Sequence, residues 1–186
     1  MSIELSTMWP RPRTLIHPGE VRSARMQSCV APTGRHFVVR LKPGTSLYAG
    51  LVEPLEALGV TSASTTILGG AFSELQYCTA PPDPSKQALI AYGPPVRVID
   101  AWMVFGNATL AKGLDGSPLV HCHAAIQALG DVARGGHIVP QHSIVGRTPI
   151  SVLVTALDGF SLQVAFDGET NIPLIQPVDE VSNGNA

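Results

Sequence analysis

Charge is scarce in this chain. Only 14% of its 186 residues are Asp, Glu, Lys or Arg, against a usual ~25%. Cysteine is scarce too: Cys29, Cys78 and Cys122 are an odd, scattered set. That excludes a disulfide framework and fits a reducing cytoplasm. No apolar run reaches the ~20 residues of a membrane helix. The opening Met-Ser-Ile-Glu-Leu-Ser-Thr has neither the basic end nor the apolar stretch of a signal peptide. The expectation is therefore a cytoplasmic protein without a membrane segment. No G-x-S-x-G surrounds Ser143 or Ser151, so a serine hydrolase has no support. No glycine-rich phosphate loop joins a strand to a helix, which removes the usual nucleotide-binding signature.

Basic surface is also short. The first 35 residues hold five arginines against Glu4 and Glu20, a balance of +3, and the remainder stands at −5. Nucleic-acid affinity rests mainly on phosphate contacts by basic side chains. An acidic body argues against it and leaves only the N-terminal arm as a source of such contacts.

What the chain does have is apolar material, glycine and proline. It is 45% hydrophobic with mean hydropathy +0.21, enough for one sizeable core. A hydropathic, weakly charged chain also implies surface buried between subunits. Eighteen glycines and sixteen prolines imply many turns rather than a helix bundle.

Residues 1–33 read as an irregular arm broken by Pro10, Pro12, Pro18 and Pro32, with Trp9, Leu15 and Ile16 available for packing. Residues 34–178 read as one domain, and 179–186 as a polar tail. Alternation over 36–41 predicts a strand. Thr45 or Ser46 caps a helix carrying Leu47, Leu51, Leu55 and Leu58 on one stripe. Pro54 predicts a kink or an early end, and Gly59 a stop. Strands follow at 60–68, 71–77, 88–92, 96–105 and 119–126, with a turn-rich stretch over 130–136. Asp158-Gly159 between two alternating runs predicts that 150–156 and 160–166 form a hairpin. The sum is an α+β fold: a mainly antiparallel sheet with one main helix.

Three of the six histidines fall within seventeen residues, as His121-Cys122-His123 and, after thirteen intervening residues, His137. In a strand, residues i and i+2 share a face about 7 Å apart, so His121 and His123 can converge while Cys122 points into the core. Gly135-Gly136 before His137 permits either close backbone approach or a left-handed turn. Three imidazoles suit Zn, Fe, Ni or Cu. Three protein ligands with an open position are the catalytic zinc pattern rather than the closed structural one. Candidates for a fourth group are Glu74, Asp131 and His142, with Glu74 also a candidate general base. Asp131 and Arg134 also read as ordinary turn residues. A cupin barrel would need a Glu shortly after the second His, where Ala124-Ala125-Ile126-Gln127 stands.

Gly34-Arg35-His36-Phe37-Val38-Val39-Arg40-Leu41-Lys42-Pro43-Gly44, then a helix, resembles the opening of the plants and prokaryotes conserved (PPC, DUF296) domain. Val60 through Ala71, and His121-Cys122-His123 with Gly135-Gly136-His137-Ile138-Val139-Pro140, resemble its bacterial stand-alone members, and Asp167 to Asn171 their longer tail. The resemblance implies a homotrimer and a metal site, zinc or another divalent transition metal, at His121, His123 and His137. It also implies a fold similar to acetolactate decarboxylase and related zinc proteins. Such a site would bind or transform a small oxygen-rich molecule such as a carboxylate or keto acid. The competing readings are a non-catalytic assembly or regulatory module, and a DNA-binding protein acting through the arm. The AT-hook core Arg-Gly-Arg-Pro is absent; Pro10-Arg11-Pro12-Arg13 is the nearest segment.

Overall fold

The computed structural model describes residues 15–22, 27–128 and 130–179. Trp9 and the tail beyond Asp179 lie outside the described residues. Ten strands and one α-helix are present among those described: β1 (Arg35–Leu41), α1 (Leu47–Ala57), β2 (Ala63–Ile67), β3 (Gly70–Cys78), β4 (Val96–Lys112), β5 (Pro118–Ala128), β6 (Arg134–Ile138), β7 (Ile144–Val145), β8 (Ile150–Ala156), β9 (Phe160–Asp167) and β10 (Ile172–Asp179). A one-turn 3-10 helix, Pro140–His142, precedes β7. The pairing is antiparallel apart from one parallel contact between β4 and β9, so the fold is the expected α+β class. None of the described helices is long and apolar enough to cross a membrane.

The sheet runs β1-β8-β2-β4-β5-β6-β3-β7. It also turns back on itself, because β3 pairs with β4 as well as with β6. Strand β4 makes this closure possible. Its first half pairs with β3 and its second half with β2, while β5 runs along its other edge. A bulge between Met103 and Phe105 lets one strand serve both neighbours. Inward residues are Ala101 and Met103 before it and Ala108 and Leu110 after it, a change of phase by one residue. That phase change is why alternation alone ends the strand at 105, whereas the strand continues to Lys112.

Helix α1 covers one face. The Ser46 hydroxyl accepts from the Ala49 N–H at 3.1 Å and caps its start. Leu47, Leu51, Val52 and Leu55 are buried, whereas Leu58 lies outside the helix and is half exposed. Pro54 does not end α1. The helix runs on to Ala57, and Gly59 at φ +67° stops it.

Two expectations are corrected. Strands β8 and β9 do not pair with each other. Both edges of β8 are occupied, by β1 and by β2, and β9 pairs with β10. The Asp158-Gly159 turn is present, but Asp158 accepts two bonds from the Arg35 guanidinium, each 2.9 Å, and Leu157 N–H bonds to Ser62 O. These long-range partners direct the chain out of the plane a hairpin requires. Residues 88–92 are also not a strand. Five prolines between 81 and 95 remove backbone donors, and the Asp83 carboxylate takes the N–H groups of Ser85, Gln87 and Ala88. Only an isolated Pro82–Ile90 bridge remains in this loop.

The described part of the arm docks by polar contacts more than by its apolar residues. The His17 ring and the Arg22 backbone N–H bond the Glu169 carboxylate, and Arg22 pairs with Asp167 at 3.4 Å. Ile16 is exposed.

Candidate metal centre

Two adjacent strands bring the histidines together. His121 and His123 lie on β5, and β6 returns beside it with His123 and His137 directly opposed. Ring centroids are 4.9 Å apart for His121 and His123, 4.8 Å for His121 and His137, and 5.5 Å for His123 and His137. One nitrogen from each ring lies within 4.8 Å of the others, a grouping that small ring rotations would close onto one ion. Cys122 is fully buried on the opposite face, as alternation requires. Its thiol is pushed up to about 12 by burial, which makes it inert as a ligand.

The glycine pair is explained by close approach and not by a left-handed turn. Both glycines are paired within β6, opposite Ala125 and Ala124 of β5. A Cβ on Gly135 would lie 2.4 Å from the Ala124 carbonyl oxygen, and one on Gly136 2.3 Å from that of Cys78. Side chains here would push β6 off β5 and β3, and His137 would leave the other two histidines.

The donors fit a transition-metal ion. Burial, and then the neighbouring His121 and His123, hold His137 at about 4. Burial, and then His123, also lower His121. Both are neutral at neutral pH, with a lone pair available for coordination. The His137 Nδ1 atom is buried without a hydrogen-bond partner among the described residues, a costly state for a polar atom.

The sign of the pH effect follows from these positions. Unfolded His137 takes up a proton near the ordinary 6.5, while the folded form resists until about 4. The metal-free protein keeps the full contribution above 6.5 and loses it progressively as pH falls toward 4. Thermal melts of metal-free protein across this window are expected to show a falling melting temperature, and His137→Asn to flatten that slope. An unchanged slope in the variant contradicts the assignment.

The other candidates lie apart from the triad. Glu74 takes two 2.7 Å bonds from the Arg97 guanidinium and one of 3.1 Å from the Gln76 amide. Arg97, then Gln76, hold its carboxyl down at about 2. A carboxylate so held is a weak proton acceptor, which removes the reason for making it the base. His142 lies within electrostatic reach of Glu74. Asp131 pairs with Arg134 at 3.0 Å and accepts from the Val132 N–H, the turn role.

Sequence reasoning missed the polar surround. Asn107 and Thr109 of β4 stand opposite His123 and His121, so they share the triad's face. Tyr92, from the proline-rich loop, lies with its ring centroid 4.9 Å from that of His137. The β4–β5 register would have found the first two; no local pattern points to Tyr92.

A family model described as the Plants and Prokaryotes Conserved (PCC) domain matches residues 30–158, more than half of the chain. Solved structures share the fold. A metal-containing protein of Archaeoglobus fulgidus has TM-score 0.67 and 22% identity, over 81% of this chain and 99% of that one. A plant- and prokaryote-conserved (PPC) protein of Pyrococcus horikoshii has TM-score 0.61 and 16% identity, over 80% and 97%. A protein of Ralstonia eutropha JMP134 called a "putative DNA-binding protein" has TM-score 0.61 and 20% identity, over 78% and 92%. No curated protein sequence matches significantly.

Proposed function

Since the chain belongs to the Plants and Prokaryotes Conserved domain family, we propose that it is a cytoplasmic, homotrimeric metal-binding protein. His121, His123 and His137 would hold one divalent transition-metal ion, zinc above all. The site would take a small oxygen-rich ligand such as a carboxylate or keto acid. The observation that carries this reading is the convergence of three imidazoles on adjacent strands, with no hydrogen bond made to the His137 ring among the described residues. One neighbour with the same fold is itself a metal-containing protein. An ion with three protein ligands keeps an open position and supplies Lewis acidity there. The chain's own part is to present the three imidazoles from adjacent strands and hold them in register.

The arm-based DNA reading finds little support in the body's charge. Arg22, Arg35, Arg97 and Arg134 are each paired with a carboxylate, which leaves them less available to phosphates.

His123→Ala separates an open functional site from a structural one. The expected result is loss of metal with an unchanged trimer by light scattering and an unchanged melting temperature of the metal-free form. Dissociation of the trimer on loss of metal would favour the assembly-module reading.

A further inference from the structure

The path from Cys78 to Tyr92 places an aromatic ring on one metal-site histidine. Cys78 of β3 is the register partner of His137 of β6. The chain leaves β3 at Thr79 and returns to that residue at Gly93: Gly93 N–H bonds to Thr79 O at 2.9 Å, and Ala91 N–H to Pro81 O at 3.0 Å. Tyr92, between those two anchors, is thereby held over His137. The far end of the loop is pinned as well. Leu89 N–H bonds to Thr170 O and the Asn171 amide to Gln87 O, each at 2.8 Å. A loop fixed at both ends presents its side chain at little entropic cost.

The histidine it meets lacks the usual restraint. A metal-binding histidine ordinarily has its second ring nitrogen tied to a carboxylate or carbonyl, which sets the ring's orientation. Among the described residues no such bond is made to His137, and its Nδ1 atom is buried without a partner. Its orientation rests on ring packing: Tyr92, tilted 52° with centroids 4.9 Å apart, and His121 and His123 at 4.8 and 5.5 Å. Offset and tilted aromatic pairs at such distances attract beyond their buried area. Tyr92 is itself 53% exposed, so the core does not depend on it.

We propose that Tyr92 is the positioning residue of the centre: its ring, not its hydroxyl, holds the His137 imidazole toward His121 and His123. The inference rests on the triad binding a metal. It assigns to a loop residue the role that a hydrogen-bonded carboxylate plays elsewhere.

The test compares Tyr92→Ala and Tyr92→Phe with wild type, using zinc affinity by chelator competition and the visible spectrum of the cobalt(II) form. Tyr92→Ala is expected to weaken zinc by about 10–100-fold, the usual cost of losing an orienting partner, and to shift the cobalt bands. Its metal-free melting temperature should stay near wild type. Tyr92→Phe should restore both affinity and spectrum. Wild-type affinity and spectrum in Tyr92→Ala would overturn the proposal. So would a Tyr92→Phe variant as weak as Tyr92→Ala, since the hydroxyl would then be responsible. If wild type itself bound neither ion, the metal reading would fail first and take this one with it.

Discussion

Gly136→Val is expected to abolish metal binding and to cost about 3 kcal/mol or more of stability, the upper part of the range for overpacked sites. The cause is local. A Cβ at this position stands 2.3 Å from the Cys78 carbonyl oxygen, and that oxygen belongs to a backbone held by β4 and β6. No rotamer change relieves such a contact, so β6 must move away from β3. His137 moves with it, and the register that opposes it to His123 is lost. For a chain of this length about 3 kcal/mol lowers the melting temperature by roughly 6–12 °C. Gly168→Ala is the control, because a Cβ there meets nothing within 4 Å and its φ is not left-handed. It should melt like wild type and bind metal normally. A Gly136→Val protein with wild-type metal affinity would contradict the close-packing account of the glycine pair.

Zinc itself should be a large stabiliser. An ion that binds only the folded chain adds about 4 kcal/mol at a free concentration a thousandfold above its dissociation constant. That corresponds to a rise on the order of 10 °C in melting temperature, read at one fixed protein concentration. His121→Ala/His123→Ala should show no rise, since one imidazole cannot supply three donors. A chelator should reverse the shift in wild type and do nothing in the variant. An equal rise in both proteins would place the bound metal elsewhere.

Much of this centre is legible in the sequence because its parts are local. His121 and His123 are two apart on one strand, so strand geometry alone puts them on one face. Gly135-Gly136 marks a close approach just before the third ligand. For Gly136 the approach is to Cys78 of β3, far back in the chain, so the choice between close contact and a left-handed turn needed the structure. The same limit explains the missing hairpin. Asp158-Gly159 is a sound turn signal, but β8 is already flanked by β1 and β2, and no local pattern reports that competition. The extent of β4 was hidden by its bulge, which shifts the apolar phase at Val104. Glu74 has the right residue type for a base. Its capture by Arg97 lies across the β3–β4 ladder, beyond the reach of spacing arguments. Tyr92 was the least visible residue, since its place over His137 depends on two backbone bonds that close a proline-rich loop.

The most direct measurement is metal content by inductively coupled plasma mass spectrometry. It compares tag-free wild type, purified without chelator, with His121→Ala/His123→Ala. The account predicts roughly one zinc or other transition-metal ion per chain in wild type, from three ligands on one chain, and none in the variant. A wild type that holds no metal even after reconstitution with zinc would contradict it, leaving the three histidines as a polar seam without an ion.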